Sequence, residues 1–103
     1  MSIFQNLFRT SPKTDLKNII EQGAFLVDVR TASEFASGHV KGSVNIPLDK
    51  IPAQLFQFKG KQNIVVFCQS GGRSSQAKSI LERNGITDVT NGGSWRHVNQ
   101  LVK

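Results

Sequence analysis

The chain has 103 residues, room for one core and not for two. A single cysteine excludes an internal disulfide framework, and with only 2 histidines beside it there is no Cys/His cluster for a structural zinc. The net charge is +6, yet the basic residues are spread singly from Arg9 through Lys41 and Lys59 to Lys103, without the clustered, aromatic-interleaved pattern of a nucleic-acid surface.

That charge reads either as an ordinary solvated surface or as a field that favours small anions. No stretch approaches the roughly 20 apolar residues of a membrane span. Residues 1–12 carry Ile3, Phe4, Leu7 and Phe8 at helical spacing, but neither a basic leader nor the apolar run of a secretory signal. They read as a core-covering or docking segment ahead of one domain over 13–103. A lone thiol fits a reducing compartment, so the cytoplasm is the expected location.

The first helix is expected from Lys13 to Gln22, entered through Ser11 and Pro12, with Leu16, Ile19 and Ile20 as its apolar stripe and Gly23 as its stop. Phe25 to Val29 follows as a buried strand. Thr31-Ala32-Ser33-Glu34 has the form of a capping box for a short helix ending at Gly38. Ser43 to Ile46 is a brief strand halted by Pro47. A helix is expected from about Asp49 to Phe56, with Pro52 in its first turn. The strongest strand signal is Asn63-Ile64-Val65-Val66-Phe67, a continuous run of the kind buried on both faces. A helix from Ser74 to Asn84 stops at Gly85. Asp88 to Asn91 forms a last strand, and Gly92-Gly93 is expected to turn the chain into a final helix around Trp95 and Leu101. Short strands alternating with helices describe a mostly parallel sheet covered by helices.

Cys68 stands where the central strand ends and a helix is about to begin, the usual place for a ligand site in an open α/β sheet. Gly71 and Gly72 let the backbone curl, so that successive N–H groups point inward as an anion-binding nest. The positive end of the following helix and the charge of Arg73 add to this, although whether Arg73 faces the pocket is not legible in the sequence. All of these favour a negative sulfur and lower the thiol pKa. The plain alternative, an inert buried cysteine, fits poorly with a position at a strand's end before Gln-Ser-Gly-Gly-Arg.

Several motifs occur in order: Asp28-Val29-Arg30, Glu34-Phe35 with Gly38-His39-Val40, Gly42 to Pro47, Cys68-x-x-Gly71-x-Arg73, and Gly92-Gly93 with Trp95. Together, from about Lys13 onward, they resemble the rhodanese family in its short single-domain form. The resemblance implies a three-layer α/β/α fold around a mostly parallel sheet of about five short strands. It also implies a two-step sulfur transfer with Cys68 as nucleophile, through a persulfide held by the loop of Gln69, Ser70, Gly71, Gly72, Arg73 and Ser74. The implied partners are thiosulfate or a persulfide as donor and a thiol or cyanide as acceptor, either of them free or on a protein. No metal or other cofactor, nucleic acid or membrane is implied.

In such domains the Asp28 and Arg30 positions mainly tie a strand end to neighbouring loops, with Arg30 a secondary candidate for the pocket rim. Trp95 reads as core, with the glycine turn able to bring it to that rim as well. Phe56 and Phe58 either wall the pocket or pack. His39 and His97 read as a local hydrogen-bonding residue and a surface residue. Related phosphatases and arsenate reductases carry a Cys-x5-Arg loop, one residue longer than the interval from Cys68 to Arg73, so sulfur is favoured over a tetrahedral oxyanion. Neutral Gln69 and Ser70 stand where many thiosulfate specialists carry a basic residue, which keeps a persulfide carrier or partner-binding module as the alternative.

Overall fold

Among the described residues four strands, all parallel, form the central sheet, where about five were expected. The computed structural model describes residues 12–102; the N-terminal segment with Ile3, Phe4, Leu7 and Phe8 lies outside the described residues. In chain order the elements are α1 (Pro12–Glu21), β1 (Phe25–Asp28), α2 (Ala32–Ala36), β2 (Val44–Asn45), a 3₁₀ segment (Leu48–Gln57), β3 (Ile64–Cys68), α3 (Gly72–Arg83), β4 (Val89–Ser94) and α4 (Trp95–Val102). The strand order is β2-β1-β3-β4, which puts β1 and β3 in the middle.

The two-residue period of β3 divides the core into two layers. Ile64, Val66 and Cys68 face a cluster with Val27 of β1, Ile51 of the 3₁₀ segment and Phe58 that ends it, and Ala77 and Leu81 of α3. Val65 and Phe67 face the other way, toward Leu16 of α1 and Val98 of α4. All five β3 residues are buried, the state their unbroken apolar run requires. The sulfur therefore emerges on the α3 side of the sheet.

Two elements differ from the sequence expectation, each for a local reason. Between Leu48 and Gln57 the chain forms a 3₁₀ segment broken at Gln54 (φ −127°, ψ 29°) in place of an α-helix. Pro52 has no N–H and its ring opposes the α-helical carbonyl four residues before it, so only tighter, shorter turns are available. Phe58, at its end, is 1 % exposed and stacks edge-on against Phe25, whereas Phe56 is 71 % exposed.

The second difference is at Gly92-Gly93, which does not leave the sheet. Strand β4 continues to Ser94 by way of an irregularity: Val66 pairs with Asn91 and Phe67 with Gly93, so Gly92 is an extra residue in the ladder. A Cβ at Gly92 would sit 2.9 Å from both Val65 Cγ1 and Val98 Cγ2. Both valines are fully buried, so neither has room to withdraw. Gly92→Ala is expected to destabilise the fold by roughly 1–3 kcal/mol through overpacking, measured as a fall of several degrees in the thermal midpoint; an unchanged midpoint would show that the layers yield here.

Candidate active site

The last residue of β3 delivers Cys68 to the carboxyl end of the sheet, beside Ser94 of β4. The chain then reverses through Gly71, whose left-handed backbone (φ 106°, ψ −14°) forms the N-cap of α3. That reversal turns the following N–H groups back toward the sulfur. Gly71 N–H donates to Sγ at 3.0 Å and Ser74 N–H at 3.4 Å, with the Ser74 hydroxyl 3.5 Å away. Cys68 and Ser74 are 1 % and 0 % exposed, while Gln69, Ser70 and Gly72 lie at the solvent mouth.

Burial alone pushes the Cys68 thiol up, because a charged sulfur loses its water. The Ser74 hydroxyl and the N–H groups of Ser74, Gly71 and Ser70 outweigh this, and the thiol is held below its ordinary range.

Arg73 does not direct its guanidinium at the sulfur. It forks onto Glu34, with Nη1 donating to Oε1 at 2.7 Å and Nη2 to Oε2 at 3.1 Å. Glu34 is at the same time the third residue of the capping box. Its Oε1 accepts from the Thr31 N–H at 2.9 Å, and the Thr31 hydroxyl accepts from the Glu34 N–H at 3.2 Å. One carboxylate thus joins the start of α2 to the start of α3. The hydrogen bonds from Arg73, then those from Thr31, hold its pKa down at about 2.

Arg30 and Asp28 form a second, deeper pair. Arg30 Nε lies 3.0 Å from both carboxylate oxygens, Nη2 donates to Oδ2 at 2.7 Å, and Nη2 also donates to the Gly38 carbonyl at 2.7 Å. Two buried charges survive together because each satisfies the other. Arg30 is 3 % exposed and lies under the Trp95 ring, 4.6 Å from its centroid. It is thus placed beneath a rim rather than on one. Trp95 is half-buried, wedged between Arg30 and Gly38. His39 stacks on Phe35 and hydrogen-bonds its carbonyl at 2.8 Å, as expected of a local contact. His97 lines an open depression of about 500 Å³ with Leu16, Ser70, Gly71, Gly92 and Gly93.

Two asparagines had no functional signal in the sequence. Asn45 donates to the Asp28 and Arg30 carbonyls at 3.0 and 2.9 Å, bracing the end of β1. Asn91 reaches across from β4 to the loop, accepting from the Ser74 hydroxyl at 2.7 Å. Each lies in a short strand, and only the pairing of strands brings it to the loop.

A buried thiol at a strand end, a curled loop of N–H donors and a parallel sheet are joined by a family match over residues 12–95 to the rhodanese-like domain. The chain belongs to that family. Among curated relatives, it is 35 % identical over 68 residues to the uncharacterized protein YqhL of Bacillus subtilis (strain 168), covering 66 % of this chain and 54 % of that protein. It is 34 % identical over 74 residues to thiosulfate sulfurtransferase PspE of Escherichia coli (strain K12), covering 70 % and 71 %. Among solved structures, a rhodanese-like domain protein from Staphylococcus aureus superposes with a TM-score of 0.71 at 34 % identity, covering 84 % of this chain and 86 % of that one. The match thus spans about half of YqhL and most of the other two.

The depressed Glu34 pKa gives this rhodanese-like domain an acid signature. A carboxylate whose pKa falls from 4.5 to about 2 on folding adds stability above the unfolded value, and that stability is lost as pH drops through the window between the two. Its half-exposed position keeps the contribution small. Glu34→Gln is expected to flatten the fall in thermal midpoint between about pH 4.5 and 2; an unaltered slope across that window would mean that the pair carries no linkage.

Proposed function

We propose that this rhodanese-like domain is a sulfurtransferase that cycles between a Cys68 thiolate and a Cys68 persulfide. The observation that carries the reading is the buried sulfur met by inward N–H groups from Gly71 and Ser74. Deprotonated Cys68 attacks the outer sulfur of thiosulfate. The sulfur–sulfur bond of the donor breaks, sulfite leaves with the electron pair, and the enzyme retains a persulfide anion. Loop N–H groups from Gln69 to Ser74 hold that anion as an oxyanion hole holds oxygen. A thiolate or cyanide then attacks the outer sulfur and leaves as a persulfide or thiocyanate, returning the Cys68 thiolate.

The name of the matched Escherichia coli relative, thiosulfate sulfurtransferase, supports this chemistry. The donor is a small sulfur anion or a persulfide, the acceptor a thiol, and we place the reaction in the cytoplasm, where a lone thiol stays reduced. Exposed, neutral Gln69 and Ser70 favour a second reading, in which the domain carries persulfide sulfur received from a protein donor.

Intact mass after incubation with thiosulfate is expected to show one added sulfur on Cys68, and Cys68→Ala is expected to abolish thiocyanate formation from cyanide. Rapid loading from a cysteine-desulfurase-type donor with negligible thiosulfate turnover would select the carrier reading. Absence of a persulfide with either class of donor would overturn both. Hydrolysis of a phenyl phosphate that Cys68→Ser eliminates would point instead to phosphatase chemistry.

A further inference from the structure

Ser74 has one hydroxyl proton and three acceptors in reach of it. Its Oγ lies 2.7 Å from Asn91 Oδ1, 3.1 Å from the Gly71 carbonyl oxygen and 3.5 Å from Cys68 Sγ. The Asn91 amide decides among them, and its orientation is set by two backbone groups. Gly93 N–H donates to Asn91 Oδ1 at 2.9 Å, and Asn91 Nδ2 donates to the Gly71 carbonyl at 3.3 Å. A flipped amide would set donor against donor and oxygen against oxygen. Oδ1 is therefore an acceptor, and the shortest contact of Ser74 is a hydroxyl donation to it. With its proton there, Ser74 presents lone pairs to the sulfur. A neutral thiol can donate into them; a thiolate receives the Ser74 proton only when the hydroxyl leaves Asn91.

We infer that Asn91 is a positioning residue: it sets the direction of the Ser74 hydroxyl proton and thereby restrains ionisation of Cys68. In the neutral state a chain of donors runs from the Cys68 S–H to Ser74 Oγ and from the Ser74 O–H to Asn91 Oδ1. On ionisation the S–H proton leaves to solvent and the Ser74 hydroxyl rotates to the sulfur, giving up Asn91 Oδ1 and the longer contact to the Gly71 carbonyl. The Ser74–Asn91 hydrogen bond is lost in that step, which opposes it, while Asn91 Oδ1 keeps the Gly93 N–H. The charged groups around the site are otherwise engaged. Arg73 of α3 is forked by Glu34 of α2, and Arg30 pairs with Asp28 at the end of β1. His97 of α4 lines the depression beside Ser70 and Gly71. Among the described residues, none of these five hydrogen-bonds Ser74 or Asn91 through its side chain.

This inference rests on Cys68 being the reacting thiol and not on the identity of any donor. The test is the ultraviolet absorbance of the thiolate against pH, in the full chain without a sulfur donor. The chain has 1 cysteine and 0 tyrosines, so the signal belongs to Cys68 alone. Asn91 is solvent-exposed, and its removal leaves the core untouched. Asn91→Ala is expected to lower the titration midpoint by about half to one pH unit and Ser74→Ala to raise it by a similar amount. In the Ser74→Ala background, Asn91→Ala is expected to move nothing. A midpoint that is unchanged or raised in Asn91→Ala overturns the inference. So does an equal fall with Ser74 absent, which would mean that Asn91 only shapes the loop. Should the alanine variant not fold, Asn91→Asp keeps the acceptor and is expected to titrate at or above the unaltered chain; a lower midpoint there overturns the inference. Because no donor is present, failure of this titration leaves sulfur transfer standing, and failure of sulfur transfer leaves the titration readable.

Discussion

Taking a charged sulfur out of water is unfavourable unless something replaces the lost hydrogen bonds, and Cys68 is 1 % exposed. The replacement comes from the backbone. Strand β3 is buried along its whole length, so its end is held firmly, and its two-residue period presents the sulfur to the face covered by α3. The left-handed turn at Gly71 then folds the chain back on that sulfur. Core, turn and helix start are parts of one solution to one solvation problem.

The two ion pairs hold the surroundings of that solution in place. The Asp28–Arg30 pair, capped by the Gly38 carbonyl and braced by Asn45, joins the end of β1 to the loop before β2. The Glu34–Arg73 pair joins the capping box of α2 to the first turn of α3. Such pairs add little stability by themselves when exposed and oppose burial when deep. Their value lies in geometry: three separate loops are brought to one end of the sheet. A nest of N–H groups is useful only if its donors stay aimed.

Much of this was legible in the sequence. The β3 run, the Thr31–Glu34 capping box, the Gly85 stop and the placement of Cys68 at a strand's end all follow from local chemistry, because each depends on neighbours a few residues away. What was not legible depends on pairing across the sheet. Glu34 gave itself away as a cap and not as the partner of Arg73, which is 39 residues distant. Arg30 was weighed as a rim residue; its burial is decided by Trp95 and Gly38, which come from other parts of the chain. Asn45 and Asn91 have no individual role legible in the sequence, because their partners come from other strands and loops. The Gly92-Gly93 dipeptide reads as a turn but stays within β4, and the reason for glycine at 92 is a tight approach to Val65 and Val98 across the layer.

The extra residue at Gly92 acts as a phase shifter within β4. Before it, Val89 follows the alternation that serves the core; after it, Gly93 and Ser94 are one step out of phase and pair with Phe67 and Cys68. The backbone register of the strand is thereby divided at Gly92, while the Asn91 side chain, just before the shift, reaches the Cys68 loop. The two halves can accept substitutions under different constraints, since a change of register in one need not propagate into the other. A small parallel sheet can in this way keep a fixed interior while the strand end beside Cys68 runs in a register of its own.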